Sequence, residues 1–164
     1  MRRLLALRHA KAVDRDQAPS DAERLLAERG KKDAAALGQL MATRGHVPDR
    51  VLCSPSARTR ETTSILTRAL GVSPAVDYVE SLYGGGCAAY GEALAACPDS
   101  ARTVLLVGHN PSMEDLVATL VGRAVPLGTC CLAVLDLPTD TWRGLTGSGR
   151  ARLVEVLSPH GASS

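Results

Sequence analysis

Apolar residues along the chain fall into short runs separated by polar stretches. Leu4-Leu5-Ala6-Leu7 is the first, bounded by Arg2-Arg3 before it and Arg8-His9 after it. It is too short for a membrane span and suits one buried strand of a parallel sheet. Thr103 to Val107 repeats the layout and leads into Gly108-His109-Asn110-Pro111. Further strands are expected at Arg50 to Cys53, Ala75 to Tyr78, Cys130 to Leu137 and Arg152 to Leu157. Between them, helical spacing predicts a helix from Leu25 to Arg44. Ala34, Ala35, Leu37, Leu40 and Met41 form its apolar stripe, and Gly45 then Pro48 stop it. Ser54-Pro55 reads as an N-cap and a first-turn proline for a helix to Leu70. Asn110-Pro111 reads the same way for a helix to Val121, and Ala88 to Ala96 as another. The polar stretch Lys11 to Arg24 is expected to loop over the end of the first strand. Pro138 to Gly149 reads as a turn-rich connection, and the tail from His160 as frayed.

Strands alternating with helices imply an α/β fold: three layers, a mainly parallel central sheet with helices on both faces. In such a sheet ligands bind beyond the carboxyl ends of the strands. Arg8, His9 and His109 should therefore share one crevice, joined by Arg58 from the first turn of a helix. At 164 residues the chain is expected to form one domain spanning residues 1–164. With no Phe, one Trp and three Tyr, its core must come from Leu, Val and Ala, and it offers no base-stacking surface. A net charge of +2 gives no reason to expect a nucleic-acid or membrane partner. Five cysteines are an odd number, Cys130 and Cys131 are adjacent, and no pair has zinc-site spacing. They read as reduced thiols of a cytoplasmic protein. The basic start Met1-Arg2-Arg3 is not followed by the apolar length of a signal peptide.

This gathering of groups has a chemistry. Two arginines can each grip phosphate oxygens, and helix N-termini favour anions. A neutral imidazole can attack phosphorus, and a second can stabilise charge building on the phosphoryl oxygens. Such phosphoryl transfer needs no metal and no cofactor, and the His9/His109 pair lacks an evident third metal ligand. Arg60 reads as a solvated helix residue, and His46 and His160 as surface residues.

The blocks Leu7-Arg8-His9-Ala10, Ser54-Pro55-Ser56-Ala57-Arg58-Thr59-Arg60-Glu61-Thr62 and Val107-Gly108-His109-Asn110-Pro111, in that order, resemble the histidine phosphatase superfamily, whose fold is phosphoglycerate mutase-like. The run Asp21 to Gly30 and the compact length resemble its SixA-like phosphohistidine phosphatase branch. The resemblance implies that His9 is the nucleophile, that Arg8 and Arg58 bind phosphate, and that His109 completes the pocket. For the general acid it points to Asp21, with Glu80 as the alternative, near where mutase-like relatives carry theirs. Ala10 stands where the family more often has Gly, which is acceptable only if its φ is negative. The implied activity is hydrolysis of a phosphorylated protein side chain, phosphohistidine, by a monomer with an open pocket. A phosphatase for a small phosphorylated metabolite and a non-catalytic phosphate-binding module are the alternatives.

Overall fold

In a computed structural model, which describes residues 1–145 and 150–163, the chain forms a seven-stranded sheet flanked by four α-helices. The strands are β1 (Arg2–Arg8), β2 (Arg50–Cys53), β3 (Ala75–Tyr78), β4 (Thr103–Gly108), β5 (Leu132–Leu137), β6 (Arg152–Ser158) and β7 (Gly161–Ser163). The helices are α1 (Glu28–Arg44), α2 (Ala57–Leu70), α3 (Cys87–Ala95) and α4 (Ser112–Val121). Strand order is β3-β2-β4-β1-β5-β6-β7. The first four pair in parallel, whereas β5, β6 and β7 join antiparallel. Because β6 reverses the reversal at β5, it runs with β1, and only β5 and β7 oppose the majority.

The two-residue period of β1 splits the core. Leu4 and Ala6 face α3 and α4, packing with Tyr90, Leu94, Met113 and Leu116. Leu5 and Leu7 face α1 and α2, packing with Leu37, Met41 and Leu66. Both layers consist mostly of Leu, Val and Ala, as the composition requires. The aromatic exceptions are Tyr90 and Trp142, both fully buried; Trp142 drops from the β5–β6 connection and donates its indole N–H to the Ala101 carbonyl at 2.7 Å. Residues 146–149 of that connection lie outside the described residues.

Several boundaries differ from expectation for identifiable reasons. Residues 25–27 are extended, so α1 starts at Glu28. Tertiary bonds claim their backbone: Leu26 N–H goes to the Glu61 carboxylate at 2.7 Å, and Ala27 N–H to the Lys11 carbonyl at 2.9 Å. Ser56 rather than Ser54 precedes α2, and Pro111 rather than Asn110 precedes α4. The tail is not frayed from His160, because residues 161–163 pair with β6. His46 is not a surface residue. It is 4 % exposed, with Nε2 2.7 Å from a Glu155 carboxylate oxygen and Nδ1 3.4 Å from the Arg3 guanidinium.

The loop after β1 is clamped where α1 begins. A Cβ on Gly30 would stand 2.1 Å from the Lys11 carbonyl oxygen and 3.0 Å from its carbon and nitrogen. Only a residue without a side chain lets the helix approach the segment two residues beyond His9. Gly30→Ala gains helix propensity, yet it should lower stability by about 1–3 kcal/mol, the range for overpacking a filled site. Thermal denaturation of the two proteins measures this directly; an equal or higher midpoint in the variant would refute the close approach.

Candidate active site

Strand order places three carboxyl ends side by side. In the sequence β2-β4-β1, the residues just past each strand are Ser54, His109 and His9. Backbone bonds extend the ladder there, from Ser54 N–H to the Val107 carbonyl at 3.0 Å and from His9 N–H to the Gly108 carbonyl at 3.1 Å. The His9 and His109 ring centroids lie 5.3 Å apart at 58°. The rings line a cavity of about 260 Å³ together with Arg8, Arg24, Arg58 and Lys11. The expected quartet of Arg8, His9, Arg58 and His109 thus meets in one place, at the carboxyl ends of the strands.

His9 is fixed from several sides. Its Nδ1 is 2.7 Å from the Ala10 carbonyl oxygen, which can only accept, so the ring proton sits on Nδ1. Nε2 has no protein partner among the described residues and is not sealed from the cavity. The His9 carbonyl accepts the Cys130 N–H at 2.9 Å, and the Ala10 N–H donates to Thr62 Oγ1 at 3.1 Å on α2. Ala10 itself is buried and is not among the residues with positive φ, so the methyl group fits where glycine was not needed. Cys130 instead carries the left-handed conformation, with φ 57°. That conformation is costly for a non-glycine residue, and here it lets the Cys130 N–H reach both the Arg8 and His9 carbonyls.

His109 is set by two neighbours that sequence reasoning did not connect with it. Ser54 Oγ lies 2.8 Å from its Nε2, and Tyr90 Oη accepts its backbone N–H at 2.9 Å. Tyr90 in turn donates to the Leu82 carbonyl at 2.9 Å. Ser54 sits beyond a strand end just as the histidines do, so the same positional rule could have flagged it. Tyr90 comes from the middle of α3, where its spacing signals only core.

Arg58 enters from the first turn of α2 with a side chain only 9 % exposed. Its guanidinium donates to the Asp21 carbonyl at 2.8 Å and to the Asp21 carboxylate at 3.1 Å. The same carboxylate accepts from Arg24 at 3.0 Å and from the Tyr83 hydroxyl at 2.7 Å. Asp21 is therefore at the rim, but as an anion. The Tyr83 hydroxyl first, then Arg24 and Arg58, hold its carboxyl far below the ordinary carboxylate range, against the opposing effect of partial burial. A carboxylate in that state carries no proton, which is the reverse of what a general acid requires. Glu80 is exposed on the short turn after β3 and does not line the cavity. Arg8 donates to the Leu127 carbonyl at 3.2 Å, while its Nε is buried without a partner among the described residues. Arg60 is not merely solvated: its guanidinium lies over the Tyr78 ring at 3.8 Å, away from the cavity.

Both imidazoles are held neutral. Burial does most to bring His9 down to about 4; the bond to Ala10 opposes it, and Arg58, Arg8 and Arg24 add to the lowering. Burial also leads for His109, lowered to about 3, followed by His9 and Arg58. Arg8, although it is the neighbour in sequence, lowers His9 less than burial and less than Arg58 do. Among the described residues no cluster of three or more His, Cys, Asp or Glu could hold a metal ion, and all five cysteines are free thiols.

Comparison with known proteins follows the same lines. Residues 4–82 match the model of the histidine phosphatase superfamily, branch 1. An uncharacterized chloroplastic protein of Arabidopsis thaliana is 31% identical over 171 residues, covering 96% of this chain and 78% of that one. Similar solved structures include two that carry the name phosphohistidine phosphatase SixA. The one from Nakamurella multipartitia is 34% identical with a TM-score of 0.80, covering 95% of both chains. The one from Agrobacterium tumefaciens is 31% identical with a TM-score of 0.81, covering 95% of this chain and 97% of that one.

Two outcomes are expected from this geometry. Arg58→Ala should weaken competitive inhibition by vanadate by about 1.5–3 kcal/mol, the range for a hydrogen bond to a charged group; an unchanged inhibition constant would remove Arg58 from the anion site. Acid stability should also respond to the buried rings. Above the usual imidazole pKa of about 6.5 neither folded nor unfolded state binds their protons. As pH falls from there through about 4 for His9 and about 3 for His109, only the unfolded chain takes them up, so stability drops. The denaturation midpoint of His9→Asn should therefore fall less than that of wild type between pH 6.5 and 4; equal falls would show that His9 is not the group taking up the proton.

Proposed function

The chain belongs to the histidine phosphatase superfamily and is a phosphatase; from that premise we propose that it hydrolyses phosphohistidine on a protein, through a phosphorylated His9. The observation that carries the substrate class is the protonation state of the rim. Asp21, bonded to two of the arginines that line the cavity, is held as an anion by three donors, and no carboxylic residue is among the described residues that line the cavity. Leaving groups that need a proton are poorly served by such a site. A phosphohistidine ring whose other nitrogen carries a proton departs as neutral imidazole and needs no further one.

The steps balance on the residues present. His9 Nε2, unprotonated because Nδ1–H is committed to Ala10, attacks phosphorus. A P–N bond forms to His9 as the P–N bond to the substrate ring breaks, and that ring leaves with the electron pair. Water then attacks the phosphoenzyme, restores neutral His9 and gives inorganic phosphate, its proton passing to solvent or phosphate. Arg8, Arg58 and His109 stabilise the charge spread over the phosphoryl oxygens in both steps. In the tautomer where the Ser54 hydroxyl donates to His109 Nε2, that ring's proton sits on Nδ1, which has no hydrogen-bond partner among the described residues and can serve the phosphoryl group. Asp21 in this reading is a positioning residue. It orients Arg58 and Arg24 instead of supplying a proton.

The test is a substrate panel on purified protein. Phosphohistidine and aryl phosphates should exceed alkyl phosphomonoesters in kcat/KM by about 100-fold or more, the contribution of a general acid that is absent here. His9→Ala should show no turnover and no trapped label. Preference for an alkyl phosphate would instead favour the small-metabolite reading. A separate variant probes the role of Asp21. Asp21→Asn should depress kcat/KM by roughly 10- to 100-fold, as misplacement of binding groups does, and equally for good and poor leaving groups. A loss confined to poor leaving groups would return Asp21 to the role of acid.

A further inference from the structure

The phosphoryl cavity is not closed on the side of β5 and β6. Lys11 and Thr129 form a low ridge there, and beyond it lies a second, larger trough of about 370 Å³ that shares both residues with the first. Arg29 and Asp33 of α1 flank it on one side and the Ser158–His160 turn on the other. The two polar groups on the ridge are uncommitted. Neither the Lys11 ammonium nor the Thr129 hydroxyl has a partner among the described residues. Arg29 is 75% exposed and meets Asp33 only at 3.8 Å, so its charge also faces the opening.

We infer that this trough seats the polypeptide segment that carries the phosphorylated histidine, and that Lys11 and Arg29 select acidic residues flanking it. The inference rests on the proposed phosphohistidine activity and adds a partner surface to it. A trough that shares two lining residues with the phosphoryl cavity and is larger than it lies within reach of the chain attached to a leaving group. A small phosphorylated metabolite would leave it empty. Lys11 and Arg29, set against the single carboxylate of Asp33, give its walls a positive excess. Complementary charge at such a rim acts on encounter and specificity more than on chemistry.

The experiment uses three probes: free phosphohistidine, a short peptide with phosphohistidine between glutamates, and the same peptide with lysines. Wild type should turn over the glutamate peptide with a kcat/KM about tenfold above the lysine peptide, a gap that narrows with salt. Arg29→Glu should erase or invert that preference while free phosphohistidine is hydrolysed as before. Arg29 is exposed and its ion pair contributes little to stability, so the variant should fold; if it does not, Ser158→Arg, which narrows the trough, replaces it and should slow both peptides but not the free amino acid. Equal rates on both peptides in wild type, an unchanged preference in Arg29→Glu, or peptide rates untouched by Ser158→Arg, overturn the docking surface and leave the activity standing. No turnover of any phosphohistidine probe, with aryl phosphate still hydrolysed, overturns the activity and the surface with it.

Discussion

Burying a guanidinium demands a counter-charge, and that demand organises this site. Arg58 is nine-tenths buried beside two imidazoles and a second arginine, an environment that repels any further cation. Asp21 supplies the compensation with both its carboxylate and its carbonyl. To do so, the loop after β1 must fold back over α2. The Ala57 N–H bonding to the Ala22 carbonyl at 2.8 Å is part of the same seam. Tyr83 and Arg24 then saturate the carboxylate, which ties in the turn after β3. One charge pair thereby fixes the relative positions of three connections that are far apart in sequence.

The imidazoles obey a related constraint. Each strand that ends at this crevice is buried on both faces up to its last residues, so whatever follows emerges half-buried. Desolvation, more than the arginines, keeps His9 and His109 neutral. The nucleophile's state is thus a product of sheet architecture, and the neighbouring guanidiniums are released to act on the phosphoryl oxygens.

Much of this was legible because it depends on local order. Apolar runs ending in Arg8-His9 and Gly108-His109 place those residues by the topology of a parallel sheet alone, and Arg58 follows from the start of its helix. What was not legible depends on partners distant in sequence. Asp21 looks like any loop carboxylate until Arg58 and Tyr83, 37 and 62 residues on, close around it. Those partners hold it as an anion in this structure, which is what sets it apart from the proton donor expected from the sequence. Ser54 and Asn110 have the chemistry of N-caps, but tertiary bonds take their side chains: Ser54 to His109, Asn110 to Glu114 and Leu127. His46 could not be placed without knowing that β6 returns beneath α1 with Glu155 facing it. The strained Cys130 gives no sequence signal, since glycine is what a reader looks for at a positive φ.

Both flanks of the sheet finish in short strands, four residues in β3 and three in β7. Among the described residues β7 pairs with Val156 to Ser158, which leaves the first half of β6 without a strand neighbour on that side. That uncovered half carries Arg152 and Glu155. Arg152 is committed to Asp136, and Glu155 to Arg44 and His46. An invading strand would have to lie across charges already satisfied at home and gain nothing for displacing them. The charges on this edge are thus already paired within the chain, at the flank nearest the open trough.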